Sequence, residues 1–570
     1  MPRIGVITLL AVVFASTAVL AQEQRAGESI EVSIVNVEVH VTDKQGNRVT
    51  GLRAEDFEIR ENGKLQPITN FAEYVSAGSA GTAGIEAAPA SQQQPAAAEA
   101  PPRARRSIVL FVEPLTLSNF RAKEFFDAVR AMLRKTVETG DQVSLVTFVR
   151  AMRIRQPFTD DLASIETALA ALEKEMSGVE GNRYDESKFV LAEAASFEED
   201  YEEEMAALGI STPPSAAGVS LSALGAARRE RFLIRQKTAA LESLIQSISG
   251  ADGRKVVIMA TQRYGTYAGA EYFDGNVPNA YKQELDTAAY RQSLIRTANA
   301  NGVTIYTMHP EGLALPNPND PSVSGHDRME SSMEQDLARA SRENAILMNE
   351  SAALSEVAVA TGGTSAWGSV NIAKMLPRVA EDLASYYSLG YRATATGKDA
   401  SRKLTVTTKN KDYVVRARKE FVEKSETTQI KDRVRANLFQ RVDSSSAKIP
   451  FDVAVGTFRK TGRNRWTVPL KIRIPISSLT TLPQGAEESG AFSVFFATGG
   501  ILGVMSEVEQ RTQSFEIPRA DATRAKASYF TYDLELAIDQ LVKTLSIAVL
   551  DDVGKEFGIK RFAIPKNARQ

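Results

Sequence analysis

The chain contains no cysteine. That absence excludes disulfides, thiol nucleophiles, thiolate metal ligands and a lipidated N-terminal cysteine, so an exported chain of this kind must rely on core packing alone. Histidine is scarce as well. His40, His309 and His326 are the three in 570 residues, and their separation leaves none of the spacing by which imidazoles gather around zinc. No charge sign is in excess: the net charge is −2, which gives no global basic field to draw nucleic acid. Beyond residue 21 no apolar run is long enough to span a bilayer. A Gly-x-Ser-x-Gly nucleophile elbow is lacking. The segment Ala360-Thr361-Gly362-Gly363-Thr364 has glycines but not the lysine of a phosphate loop, so it reads as a turn. These absences argue against an enzyme and leave no catalytic residue to nominate.

What is present is an ordinary globular composition, 43% hydrophobic and 24% charged, over a length that suggests about three to five domains. Residues 1–21 read as a secretory signal: Arg3 supplies a positive start, 4–20 is mostly apolar, and Val19-Leu20-Ala21 offers a cleavage site before Gln22. A retained anchor is the alternative, since that stretch approaches the shortest spanning length of ~17 residues. The mature chain is expected to be exported, periplasmic or secreted.

Residues 28–75 alternate as strands. Ile30, Val32 and Ile34 share one parity and Val35, Val37, Val39 and Val41 the other, which predicts a bulge near Ile34-Val35. Turns are expected at 43–47 and 61–64, around Gly46 and Gly63. Residues 76–106 are rich in Ala, Gly, Pro, Ser and Gln and read as a flexible linker. From Ser107 strand–helix alternation sets in, with strands at 108–112, 142–149, 255–260 and 303–308, and helices at 123–136, 161–176, 281–300, 351–361 and 372–386. Continuous apolar strands between helices predict a mainly parallel sheet covered on both faces. A last strand is expected to start at Ser388, with Tyr386, Tyr387 and Tyr391 in its core. Between 184 and 237 the pattern breaks into charged helices around Pro213-Pro214, read as a solvated insertion or a partner-binding arm. Period two returns at 402–421, and strands dominate 450–565, which suggests a terminal antiparallel β-sandwich.

Several stretches, in order, resemble those of bacterial VWFA-related domain proteins (von Willebrand factor A-like, VWA-like) common in acidobacterial genomes. They are Val39-His40-Val41-Thr42-Asp43, Leu52 to Phe57, Ile108 to Val112, Ala298 to Tyr306, Ala360 to Thr364, Asp382 to Tyr391 and Val415 to Arg418. The resemblance covers roughly 28–421. It implies a Rossmann-like VWA domain over 107–395, flanked by N-terminal and C-terminal β-sandwich-like modules, and a role in protein binding, adhesion or complex assembly.

In VWA domains that bind a divalent cation, an Asp-x-Ser-x-Ser loop follows the first strand, and a Thr and a second Asp come from later loops. The matching loop here is Glu113-Pro114-Leu115-Thr116-Leu117-Ser118. Glu113 keeps an acid, but Leu115 and Leu117 stand where hydroxyls should be, and apolar side chains cannot ligate magnesium. Gln262 falls where the later Asp is expected. The site therefore reads as degenerate, with no metal or other cofactor. Glu113 is expected to be solvated or to pair with an arginine such as Arg263. Glu113, Leu115, Thr116, Leu117, Ser118, Gln262 and His309 would form a binding face at the carboxyl ends of the strands. The expected partner is a protein or surface ligand rather than nucleic acid. A hydrolase with an unrecognised site is the alternative, and it would need titratable residues converging on that face. A structural surface-attachment scaffold is the third.

Overall fold

The computed structural model describes residues 32–75, 105–114, 119–177, 221–273, 275–309, 333–367, 376–394, 398–440, 447–500, 505–539 and 541–564. The expected signal at 1–21 and most of the expected linker, 76–104, lie outside them. The first strands are β1 (Val32–Thr42), β2 (Phe57–Glu61), β3 (Lys64–Gln66) and β4 (Ile68–Val75). In β1 Val35, Val37, Val39 and Val41 are buried while Ile34 is exposed. No bulge occurs at Ile34-Val35, because β1 pairs in unbroken register from Val32 to Val39. One parity supplies the whole core stripe, and Ile34 stays on the outer face. Both expected turns are present, with Gly46 at φ 87° and Gly63 at φ 82°, a conformation glycine takes without steric cost.

An α/β unit follows: β5 (Arg106–Val112), α1 (Asn119–Thr136), β6 (Gln142–Val149), β7 (Ala151–Thr159), α2 (Leu162–Ser177), α3 (Leu221–Ile248) and β8 (Arg254–Ala260). It continues through α4 (Asn279–Leu285), α5 (Ala288–Ala300), β9 (Val303–Met308), α6 (Met333–Ala360), β10 (Ser365–Ala366) and α7 (Leu376–Ala384). The sheet order is β10-β9-β8-β5-β6-β7. All neighbours are parallel except β7, which runs antiparallel to β6. Every residue of β5 is buried, as a central parallel strand requires. Phe125, Leu133, Leu169 and Leu383 pack helices α1, α2 and α7 on one face. Leu241, Ile245, Leu294 and Val357 pack α3, α5 and α6 on the other. At about 1.5–3 kcal/mol for each fully buried large apolar side chain, these two faces dominate the unit's stability.

Two expectations change here. The helix predicted over 281–300 is two helices, separated at Asp286-Thr287, where Thr287 Oγ1 donates to the Gly265 carbonyl at 2.6 Å. Of the predicted insertion at 184–237, residues 184–220 lie outside the described residues, while 221–237 opens α3. Ile234 and Lys237 of that stretch are 1% and 2% exposed, so this end is packed rather than solvated.

The larger correction concerns β11 (Ser385–Thr394), which the sequence predicts as the last strand of the parallel sheet. It lies instead between β1 and β4, antiparallel to both. Tyr387, Leu389 and Tyr391 are every second residue, and they need an antiparallel core on one face; the β1 valines and Phe71 supply it. Beyond it, β12 (Ala400–Thr408) pairs with β2 and with β14 (Glu420–Glu423), and β13 (Val414–Ala417) pairs with β1. The predicted modules at 28–75 and 402–421 are therefore one sandwich of two four-stranded sheets, β13-β1-β11-β4 and β14-β12-β2-β3. The α/β unit is inserted between its halves.

The junction of sandwich and α/β unit is polar. Arg416 holds the Asp382 carboxylate through two bonds of 2.8 Å. Arg254 reaches Glu38 at 2.7 Å and stacks 4.6 Å from the Tyr386 ring centre. A cavity of about 20 Å³ beside His40, Arg48 and Asp382 has room for about one water.

Helix α8 (Glu426–Phe439) leads to the C-terminal sandwich, predicted at 450–565. One sheet is built on Arg465–Pro475 and the other on Glu487–Gly500. Trp466, Ile472, Phe492 and Ile547 share a core between them. Among the described residues no helix is long and apolar enough to cross a membrane.

Candidate functional site

From β5 the chain passes to β6 on one side, whereas β8 lies on the other. The strand order reverses between β5 and β8, and ligands of open α/β sheets bind outside the carboxyl ends at such a point. Three adjacent strand ends meet there: Glu113 after β5, Thr261 and Gln262 after β8, and His309 after β9. The ladder continues through them. Glu113 N–H donates to the Ala260 carbonyl at 3.0 Å, Thr261 N–H to Met308 at 3.1 Å and His309 N–H to Ala366 at 3.1 Å. The sheet itself holds these residues in place.

Glu113 is neither solvated nor paired with Arg263. It is 7% exposed, and its partner is Lys237, whose Nζ donates to Glu113 Oε2 at 2.6 Å. The same ammonium donates to Thr261 Oγ1 at 3.0 Å and to the Gln262 carbonyl at 3.1 Å. The Thr261 hydroxyl also donates to Glu113. Lys237 reaches this place because it lies on the sheet-facing stripe of α3 with Ile234 and Leu241. Its charge also stands 5.8 Å from the ring centre of buried Tyr264. Arg263 turns to Glu271 instead, at 3.5 Å.

Among the described residues, this donor set does not fit a divalent cation. A hard cation needs several oxygen ligands at short range, whereas here one carboxylate already faces an ammonium. A divalent ion about 4 Å from that ammonium would meet roughly 8 kcal/mol of repulsion at an effective dielectric of about 20. Leu115, Thr116, Leu117 and Ser118 lie outside the described residues. Gln262 contributes its backbone carbonyl to Lys237, while its side-chain Nε2 is buried with no hydrogen-bond partner among the described residues.

A second group of charges adjoins the first. His309 Nε2 and Glu350 Oε2 of α6 are 3.0 Å apart, and both residues are buried. Burial pushes Glu350 up, but the hydrogen bond from His309 and the charges of His309 and Arg263 bring it net below the ordinary carboxylate range. Glu230 of α3 behaves oppositely. Burial, then the charges of Glu271 and Glu350, push its carboxyl well above that range, against the pull of Arg263 and Lys237. Arg263 itself takes a left-handed backbone, φ 50°, an unfavourable state for a side chain of this kind and one that tends to occur at functional sites. Past β10 on the same edge, Trp367 is 38% exposed and donates Nε1–H to Ser355 Oγ at 3.2 Å.

Of the residues chosen from sequence, Glu113, Gln262 and His309 thus meet at one edge. Lys237, Glu230 and Glu350 were missed, and Arg263, expected on Glu113, stands on Glu271 instead. Lys237 had a signal, a charge at a core-facing helical position; Glu350 had none, since only β9 and α6 packing brings it to His309.

No family profile matches the chain, and no curated protein does. Among solved structures, proximal thread matrix protein 1 of the mussel byssus is 11% identical over 50% of this chain and 48% of its own, with a TM-score of 0.22. The chain thus spans about half the length of that mussel protein. An aerotolerance-related membrane protein of Bacteroides fragilis is 10% identical over 49% of this chain and 98% of its own, TM-score 0.22. The conserved hypothetical protein BatB of Bacteroides thetaiotaomicron is 12% identical over 49% and 98%, TM-score 0.21. Likenesses this slight carry nothing about what this chain binds.

Proposed function

We propose that this chain is an exported, non-enzymatic VWA-like protein that binds another protein or a surface ligand through the carboxyl edge of its parallel sheet, without a divalent cation. The observation that carries the reading is the Lys237 ammonium on Glu113 at the point where strand order reverses. All three of its N–H donors are used internally, so no open valence faces a partner's carboxylate. Recognition then falls to the rim, where Trp367 is an exposed aromatic of the kind that anchors interfaces. The mixed sheet with one antiparallel edge strand supports the VWA-like assignment, and the N-terminal segment supports export. The composition favours a protein over a nucleic-acid partner.

Capture from an envelope extract with the full chain tests this. A specific partner should be recovered equally in EDTA and in Mg²⁺, and Trp367→Ala should lose it. Loss of the partner in EDTA would sink the metal-free reading. Capture indifferent to Trp367→Ala would move binding off this edge.

One observation favours the hydrolase alternative: Glu230 and Glu350, in one buried cluster, are pushed in opposite directions, as acid and base pairs are in active sites. Turnover of model ester, peptide or glycoside substrates that disappears in both Glu230→Gln and Glu350→Gln would establish it.

A further inference from the structure

Three oxygens converge on one nitrogen at the strand ends. Glu113 Oε2, Thr261 Oγ1 and the Gln262 carbonyl stand 2.6, 3.0 and 3.1 Å from Lys237 Nζ. These are lengths of N–H···O bonds, and they exceed the 2.0–2.1 Å or so at which Mg²⁺ takes oxygen. The set holds a single carboxylate among two neutral oxygens, so its formal charge balances one monovalent cation. The nearby Tyr264 ring, 5.8 Å away, adds the negative face that favours an ammonium. Ladder bonds of the sheet fix the backbones of Glu113 and Thr261, and the Thr261 hydroxyl donates to the Glu113 carboxylate, so two of the three oxygens are tied to each other as well as to the cation.

We propose that these three oxygens form a primary-ammonium site whose resident occupant is the Lys237 side chain. A tethered cation makes the order of the β5 and β8 strand ends independent of dissolved metal. If the tether is cut, a free primary alkylammonium takes the place; a divalent ion does not. This rests on the strand-end geometry and not on partner binding, so either can fail alone.

The test is thermal unfolding of the full chain in EDTA. Lys237→Ala removes three carbons and the nitrogen, and its midpoint should fall by roughly 5 °C or more, because the buried Glu113 carboxylate loses the ammonium that faces it. n-Propylammonium, which replaces the missing atoms, should raise that midpoint saturably if it finds the Glu113 carboxylate still tied to the Thr261 hydroxyl. Tetramethylammonium, with no N–H to donate, should not, and neither should Mn²⁺ or Mg²⁺. In Glu113→Gln/Lys237→Ala the response to n-propylammonium should vanish. The proposal is overturned if n-propylammonium does no better than tetramethylammonium, if Mn²⁺ rescues more strongly, or if Lys237→Ala melts like the wild type. Should Lys237→Ala fail to fold, Glu113→Gln/Lys237→Met keeps the volume and cancels the charges. It should melt close to the wild type and well above Lys237→Met; a double variant no better than Lys237→Met would equally overturn the assignment.

Discussion

Glu230 sits 7% exposed among carboxylates and cations, and its raised affinity for a proton is a statement about stability. The folded chain holds that proton more tightly than the unfolded chain does. Its stabilising contribution is complete below the unfolded value near 4.5 and is lost as pH rises through the raised folded value. Glu230→Gln, which keeps the uncharged shape, should therefore melt higher than the wild type at alkaline pH, with the gap closing toward pH 4. A constant gap across that range would show that Glu230 does not titrate between the two states. At the other end of the sheet Asp382 receives two bonds from Arg416 and is 3.5 Å from His40. Burial, foremost, takes His40 down to about 3, so the charge balance there rests on Asp382, Glu38 and the arginines. Asp382→Asn leaves the buried arginines under-compensated, and denaturant unfolding should report a loss of roughly 3–5 kcal/mol.

Among elements, β11 shows what local pattern can and cannot say. Its alternation is plain in Tyr387, Leu389 and Tyr391; the sequence places the two tyrosines in a core, and the structure buries them together with Leu389. Which core was not legible, since period two reads alike whether the neighbours are parallel or antiparallel. Leu389→Ala should cost about 2–5 kcal/mol. By hydrogen exchange the loss should appear in β1 and β4, its partners, before it appears in β8 and β9. The missed helix α8 had the reverse problem. Ile430, Val434 and Leu438 recur every four residues and are buried, and Ser425 caps the helix by accepting from Thr428 N–H at 3.3 Å. Ser425→Ala should cost about 1 kcal/mol, seen as earlier unfolding where α8 meets the C-terminal sheet.

For the whole molecule, the insertion of one unit into another sets what can fold alone. Residues 32–75 contain four strands, but β1 and β4 meet only across β11, and β2 needs β12 for its outer partner. A fragment of residues 28–106 should therefore lack dispersed amide resonances, while 28–423, which restores both sheets around the α/β unit, should unfold cooperatively. A well-dispersed spectrum from the short fragment would show that the N-terminal strands have another way to bury their valines.

Local chemistry determined the inventory of this protein. The absence of cysteine, the alternating valines of β1, the unbroken apolar run of β5 and the turns at Gly46 and Gly63 were all legible, because each depends on neighbours a few residues away. The tertiary structure alone decided that strands 310 and more residues apart, β4 and β11, share a sheet. It alone decided that Lys237 meets Glu113 across 124 residues. Charges attract without regard to sequence separation, and a lysine on the inner stripe of a helix shows its partner only when the sheet beneath it is built.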